Sequence, residues 1–304
     1  MMKPVTEERV IAVIAHLSAL ALGSGLVIPA VFWSENRRNP AREQGKSAYL
    51  RFQTLQALGY QSLGYTVWML LYLLVIVLLM VAMFVTAALV PNAAQNKTIP
   101  MVFSVVLLVS AFGLLGIYLL LPVIAAVFCG FGKDFRYPIL GGRLARSLGY
   151  DQSGTERDSL DADFEGRFAA AMGHFAVVQP LWGMLAPAWL WLNHQKHSAS
   201  LKFQSAQTTL YQIIVNLLLF GLTFLSIALG VISIPISAIY LNSGEWAAVA
   251  GMMVMICLLS FTGLIIPLFH ILGQWAGLQV LRGKNFRYPL LGGWVAKWID
   301  TRKS

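Results

Sequence analysis

Four long apolar segments limit how this chain can fold. They run over Leu63–Val90, Ile99–Phe131, Leu210–Leu241 and Trp246–Leu281, and none of them contains Asp, Glu, Lys or Arg. A helix of about 20 residues crosses the roughly 30 Å hydrocarbon layer of a bilayer, so each segment is long enough to span it. Strands of a membrane barrel would instead show alternating segments of about ten residues. The pattern therefore predicts an all-α integral membrane protein.

The composition agrees with a membrane location. Hydrophobic residues make up 58% of the chain and charged residues 12%, which is more apolar and less charged than soluble domains are. The net charge of +9 is explained if Lys and Arg lie near anionic lipid headgroups. We therefore predict membrane lipids, and no nucleic acid, as partners.

The sequence contains none of the motifs that mark common enzymes. Metalloprotease, nucleophile-elbow, phosphate-loop and dinucleotide motifs are all missing. Cys129 and Cys257 fall in predicted spans and do not correspond to each other in the repeat described below, so no disulfide or metal pair is expected. His194-x-x-His197 has the spacing of helical metal ligands but no third ligand near it. We predict no enzyme activity, no catalytic residue, no cofactor and no metal.

An internal repeat organises the chain. Phe135–Gly142 reads FRYPILGG, and Phe286–Gly293 reads FRYPLLGG. Ser47–Gln61 aligns with Ser198–Gln212 in the same register. Recurrence of this length is the signature of a duplicated module. We predict repeat one at residues 8–142, an acidic polar cytoplasmic linker at 143–164, repeat two at 165–293 and a basic C-terminal tail at 294–304.

The first apolar element of each repeat decides the topology. Val10–Trp33 is interrupted by Gly23-Ser24-Gly25, and its counterpart Phe168–Leu192 contains Gln179-Pro180. If each element dips into the membrane and returns, every Lys and Arg except Lys97 lies on one side, as the positive-inside rule favours. If each element instead crosses once, the repeats are inverted and Lys/Arg-rich loops face both sides. The charge distribution favours the first arrangement, so we predict two parallel tandem repeats, each a short broken or re-entrant helix pair followed by two long transmembrane helices. The protein is then multi-pass in the bacterial cytoplasmic (inner) membrane, with both termini cytoplasmic.

The repeated residues resemble a known family. The resemblance rests on Glu8-Arg9, His16-Leu17-Ser18, Phe52-Gln53 and Phe135-Arg136-Tyr137-Pro138. These are similar to the uncharacterised bacterial membrane family related to the twenty-kilodalton channel subunit of the chloroplast inner-envelope translocon. Two copies cover nearly the whole chain, and the second is the looser match. The resemblance implies a compact four-helix module with a short first pair, and a role related to translocation.

Polar side chains recur at matched positions inside the two repeats. They are His16, Gln53, Gln56 and Tyr60 in the first, and His174, Gln204, Gln207 and Tyr211 in the second. Gln53, Gln56 and Tyr60 are spaced to project from one helix face. The two faces form either a polar pathway between the repeats or hydrogen bonds between helices. For the histidines, a neutral structural imidazole, a polar pathway and a metal site are the alternatives.

The repeated phrase at the end of each repeat combines aromatic and basic residues. Its candidate residues are Lys133, Arg136, Tyr137, Lys284, Arg287 and Tyr288. Aromatics at the interface, an Arg reaching phosphate and a Pro that stops the helix are typical of a membrane-exit cap. The alternative is a dock for anionic lipid or for a partner protein.

Two non-enzymatic functions follow from these patterns. The first is a translocation- or permeation-related membrane component, which the family resemblance and the paired polar faces favour. The alternative is a membrane scaffold or accessory subunit that docks another membrane protein through a basic cytoplasmic face. The sequence leaves both open, together with the oligomeric state.

Overall fold

The computed structural model describes residues 4–38, 47–90, 96–150, 160–193, 198–241 and 244–301. These ranges are helical and contain no strand. Five stretches are long and apolar enough to cross a bilayer: Thr6–Arg37, Ala48–Leu89, Thr98–Gly130, Ala199–Ile239 and Trp246–Leu281. The protein is thus an all-α, multi-pass membrane protein.

Six helices lie in the described part of the first half. They are α1 Thr6–Leu17, α2 Val27–Arg38, α3 Ala48–Gly59, α4 Tyr65–Leu89, α5 Thr98–Gly130 and α6 Leu140–Leu148. A 3₁₀ segment, Ser18–Leu26, joins α1 to α2, and a π turn, Tyr60–Gly64, joins α3 to α4.

The second half repeats this order with one difference. Its helices are α7 Ala162–Phe175, α8 Leu185–Asn193, α9 Ala199–Leu241, α10 Gly244–Leu281 and α11 Leu291–Thr301. A short 3₁₀ segment, Ala176–Val178, follows α7. The helix that corresponds to α3 and α4 is the single helix α9, without a π turn.

The first apolar element is a helical hairpin instead of one straight helix. Ala12 of α1 packs against Leu50 near the start of α3. Arg37 at the end of α2 lies 4.0 Å from Glu165, the carboxylate that also binds Arg51. Both outer ends of the α1–α2 pair therefore lie beside the start of α3. Each arm has 12 residues, about 18 Å of helix, which is too short to cross the hydrocarbon layer.

A glycine at each hairpin tip permits the reversal. A Cβ atom on Gly25 would overlap the carbonyl oxygen of Ser18, and one on Gly183 would overlap that of Ala176. The close approach of backbone to backbone requires glycine at both positions. The tip lies deeper in the molecule, where Gln61 Nε2 donates to Ser18 Oγ at 2.9 Å.

The hairpins of the two halves lie side by side and run in the same direction. Near the tips, Gly23 contacts Trp182. Near the outer ends, Trp189 Nε1 donates to Ser34 Oγ at 2.9 Å. Gly23 precedes α2 and Trp182 precedes α8, while Ser34 and Trp189 lie within these helices. Since the same order holds in both, α2 and α8 are parallel. We call the end of the molecule that carries the starts of α1, α3, α7 and α9 the basic end.

The short helices α6 and α11 lie at the edges of the predicted linker and tail. The predicted linker at 143–164 begins inside α6 and ends inside α7, and the predicted tail at 294–304 begins inside α11. The reason is an apolar face: Leu144 and Leu148 are buried in the first half, and Val295 and Ile299 in the second. This spacing of four residues holds both helices against the body of the protein.

Side-chain packing is concentrated at the basic end. One cluster of buried residues joins the two halves and includes Trp33, Phe52, Phe168, Met172 and Leu190. In contrast, α4 buries no residue. The molecule is therefore compact at one end, while the rest of its long helices faces lipid.

Candidate functional site

The predicted polar residues of the first half meet in one buried cluster around His16. Its Nδ1 lies 3.0 Å from Tyr137 Oη, and its Nε2 lies 3.0 Å from Gln53 Oε1. Gln56 Nε2 donates to the same Gln53 oxygen at 3.1 Å. We call His16, Gln53, Gln56, Tyr60 and Tyr137 the first histidine cluster. His16, Gln53 and Gln56 are completely buried.

The neighbours of Gln53 determine the tautomer of His16. Gln53 Nε2 donates to Asp134 Oδ1 at 2.8 Å and to the Phe135 carbonyl at 3.1 Å, which leaves its Oε1 facing the imidazole as an acceptor. His16 Nε2 must then carry the hydrogen and donate, and Nδ1 accepts from the Tyr137 hydroxyl. Both ring nitrogens of a neutral imidazole are satisfied.

The second half contains the same cluster around His174. His174 Nδ1 lies 2.9 Å from Tyr288 Oη, and Nε2 lies 3.1 Å from Gln204 Oε1. Gln207 Nε2 donates to that oxygen at 2.6 Å and to the Phe286 carbonyl at 2.8 Å. We call His174, Gln204, Gln207, Tyr211 and Tyr288 the second histidine cluster.

Stacked tyrosines close each cluster on the side away from the basic end. Tyr60 stacks on Tyr137 with ring centroids 4.2 Å apart, and its hydroxyl donates to the Tyr118 carbonyl at 2.7 Å. Tyr211 stacks on Tyr288 at 3.8 Å. The tyrosine of the exit phrase is thus an internal residue in both halves.

The glutamines face their own half instead of a groove shared between the halves. In each half they bind the histidine and the segment that follows the last long helix, and Gln56 Oε1 accepts from the Tyr137 backbone N–H at 2.7 Å. The contact that crosses between the halves at this depth is a different one, from Gln179 Nε2 to the Gln61 carbonyl at 2.8 Å. Chemically, each cluster ties two helices to the non-helical segment that follows the last long helix.

The two clusters differ in one charge. Gln53 binds Asp134, whereas Gln204 binds Asn285 at 3.0 Å. Burial raises the pKa of the Asp134 carboxyl, and Arg136, which donates to it at 3.1 Å, opposes that shift. The first cluster therefore lies beside an ionisable pair that the second lacks.

A buried ion pair joins the halves. Arg51 Nε in α3 donates to Glu165 Oε1 in α7 at 2.9 Å, and a second bond completes a two-pronged contact. Both side chains are almost fully buried. Burial raises the pKa of the Glu165 carboxyl, and Arg51 is the main opposing influence. Sequence reasoning did not find this pair, because the partners lie far apart in the chain.

The exit phrases place their cations on the surface of the basic end. Arg136 lies over the rings of Phe52 and Tyr150 at 6.0 and 5.9 Å, and Arg287 lies over Phe203 at 5.5 Å. Lys133 lies 5.7 Å from the Phe128 ring, and Lys284 is exposed. Tyr137 and Tyr288, predicted with them as a dock, are instead 2% exposed and belong to the histidine clusters.

Within the described residues, no group of three or more His, Cys, Asp or Glu side chains is placed to hold a metal ion. Cys129 is buried and Cys257 is exposed, and both are free thiols. The His194-x-x-His197 motif lies outside the described residues.

Comparison with known proteins finds a family model that matches the first half of the chain. Residues 7–144 match the model of the magnetosome magnetite crystal formation protein family. No curated protein and no solved structure matches the chain. The relation to the chloroplast translocon remains a prediction from sequence. Over residues 7–144 this multi-pass membrane protein is similar to a family of magnetosome magnetite crystal formation proteins.

Proposed function

We propose that the protein is a non-catalytic membrane scaffold that holds another membrane protein at its basic end. The observation that carries this proposal is the closure of the histidine clusters. His16 and His174 are completely buried, and both nitrogens of each ring are engaged within the same half. Ionisable residues inside a membrane protein are costly, and here they lock helices together.

The same closure weighs against the translocation or permeation role that the sequence favoured. A polar pathway needs side chains that face water and can exchange partners. Gln53, Gln56, Gln204 and Gln207 are at most 1% exposed, and each is held by at least two hydrogen bonds. The geometry therefore supports the scaffold better than a pathway.

The surface of the basic end is suited to an acidic partner segment. The Arg136 side chain is 42% exposed. Its Nε donates to Asp134 at 3.1 Å, and the aromatic rings beneath it fix the direction of its guanidinium group. Arg287 is exposed and has the equivalent position in the second half. Two oriented guanidinium groups on one surface favour carboxylate recognition. We expect the partner to present Asp or Glu beside its own membrane segment.

We further infer that this scaffold serves a membrane on which magnetite crystals form. The inference rests on the match of residues 7–144 to the magnetosome family. Deleting the gene in a magnetite-forming host should change crystal size or number in electron micrographs. Crystals of unchanged size and number would contradict the inferred role in magnetite formation.

Cross-linking and reconstitution test the scaffold role. We expect Arg136→Gln combined with Arg287→Gln to lose the membrane protein that cross-links to the wild type, while Lys97→Gln, at the start of α5, keeps it. Purified wild-type protein in liposomes should pass no more ions or small solutes than empty liposomes do. Solute flux above that of empty liposomes would favour permeation over the scaffold.

A further inference from the structure

An apolar groove with a volume of about 640 Å³ opens on the first half of the molecule. This is within the range of ligand pockets, roughly 300–1,000 Å³. Its walls come from α4, α5, α6 and α7 and from the end of α10. Lining residues include Tyr60, Gly64, Trp68, Tyr118, Ile139 and Phe168.

The end of the groove nearest the basic end is polar and positively charged. Arg143 and Ser147 of α6 line the groove, and Arg146 joins them in an adjoining depression. All three are exposed. The Arg143 guanidinium has no hydrogen-bond or ion-pair partner among the described residues. The groove thus has apolar walls along most of its length and positively charged side chains at one end.

The direction of α6 places this cationic end toward the membrane surface. α6 starts beside Gln56, since Gly141 contacts that side chain. The helix is followed by Tyr150, which stacks on Phe52 one turn closer to the start of α3. The groove therefore runs from Arg143 near the basic end to Trp68 and Leu71 at the depth of the long helices.

The second half carries larger side chains at the positions that correspond to three groove residues. The position of Gly64 is taken by Val215, which is buried against Tyr211 and Tyr288. The positions of Arg143 and Ser147 are taken by Trp294 and Trp298, two stacked indoles. The π turn that opens the groove at Tyr60–Gly64 is also found in the first half alone among the described helices. π turns are frequent at functional sites.

We propose that this groove binds one anionic phospholipid, with an acyl chain along Trp68 and Leu71 and the phosphate at Arg143 and Arg146. Charge complementarity selects this occupant, because a phosphate matches two guanidinium groups that the apolar groove places at headgroup depth. An apolar helix of a partner protein would leave both arginines unmatched. The proposal is independent of the scaffold role, since a bound lipid is compatible with any function.

Native mass spectrometry of the delipidated full-length protein tests the site. The probes are phosphatidylglycerol and phosphatidylcholine with the same acyl chains. We expect the wild type to bind one phosphatidylglycerol in preference to phosphatidylcholine. Arg143→Gln should weaken that binding roughly fivefold and Arg143→Gln/Arg146→Gln roughly 30-fold. Lys297→Gln, an exposed cation on α11 in the second half, is the matched control and should change nothing.

A second variant tests the groove without removing charge. Gly64→Val combined with Ser147→Trp copies side chains that the second half already accommodates, and should abolish binding of phosphatidylglycerol while the protein stays folded. Equal affinity for both lipids, or unchanged phosphatidylglycerol binding in the double arginine variant, would overturn the proposal. So would a photo-cross-linker at Leu71 that captures a protein instead of a lipid in membranes.

Discussion

At the scale of single residues, the histidines act as hydrogen-bond centres within apolar surroundings. His16 and His174 each bind a buried tyrosine hydroxyl that would otherwise lack a partner, and each also binds a glutamine oxygen that accepts from a neighbouring glutamine. A buried polar group without a partner costs roughly 1–3 kcal/mol. The stability of each half therefore depends on its histidine, although neither side chain reaches the surface.

Replacing His16 by Phe tests this dependence. The ring keeps its approximate size but leaves the Tyr137 hydroxyl without its partner, so we expect the free energy of unfolding to fall by about 1–3 kcal/mol. Adding Tyr137→Phe removes the orphaned hydroxyl and should recover part of the loss. The measurement is unfolding in detergent followed by circular dichroism. His174→Phe, alone and with Tyr288→Phe, is the matched test in the second half. If His16→Phe and His174→Phe both unfold with the wild-type free energy, the histidines do not stabilise the clusters.

Arg51→Met tests the ion pair between the halves and its pH dependence. The change leaves Glu165 buried without its main counter-charge, so we expect a loss of about 3–5 kcal/mol at neutral pH. Because the pKa of Glu165 is raised in the folded protein, this acid favours folding at low pH, and stability is lost as pH rises through the raised pKa.

The damage from Arg51→Met should therefore be smaller at acidic pH, where Glu165 is protonated. Adding Glu165→Gln should restore stability at neutral pH and remove that part of the pH dependence. The measurement is the free energy of unfolding of both variants and of the wild type at several pH values between acidic and neutral. An equal loss at all pH values would mean that Arg51 acts through packing alone.

The sequence could identify these residues but not their partners. Recurrence at matched positions selected His16, Gln53 and Gln56, because a position kept in both repeats is constrained in both. It could not show that Gln53 points at His16 instead of across the repeat boundary, since one helix face fits either arrangement. Arg51 and Glu165 have no shared motif, so only the packing of α3 on α7 brings them together.

At the scale of elements, continuous apolar runs predicted the long helices, and Gly or Pro within shorter runs predicted the interrupted ones. The Gly-Ser-Gly break and the distribution of Lys and Arg indicated a returning first element, and the structure has such a hairpin at Thr6–Arg38. The helices α6 and α11 were missed because Arg143, Arg146 and Lys297 give these segments a polar composition. Their buried aliphatic residues, four positions apart in each helix, were the available signal.

The hairpin tip provides a test at this scale. Gly25→Ala should destabilise the fold by about 1–3 kcal/mol or more, because the new Cβ atom overlaps the Ser18 carbonyl and the tip must open. Gly183→Ala should have the same effect in the second half. Gly113→Ala in α5 is the control, since a Cβ atom there meets open space, and it should raise stability slightly. Equal unfolding midpoints for Gly25→Ala and Gly113→Ala would contradict the close backbone contact between Gly25 and Ser18 at the hairpin tip.

At the scale of the whole molecule, the two halves repeat their polar cores but not their surfaces. Both contain a histidine cluster, whereas Gly64 at the groove and the charged Asp134 correspond to Val215 and Asn285 in the second half. The family match also covers the first half, at residues 7–144. The two halves therefore share their helix order and their polar cores. They differ in the residues at the groove and in one buried charge.

The orientation of the basic end in the membrane is the remaining prediction at this scale. The charge distribution predicts that this end is cytoplasmic, because every Lys and Arg except Lys97 then lies on one side. In a Cys257→Ser background, Arg146→Cys should resist an impermeant thiol reagent in intact cells and react after permeabilisation. Asn96→Cys, next to Lys97, should react in intact cells, and buried Cys129 should remain silent in both conditions. Labelling of Arg146→Cys in intact cells, together with protection of Asn96→Cys, would show that the basic end faces away from the cytoplasm. Arg136 and Arg287 could then not bind a cytoplasmic partner.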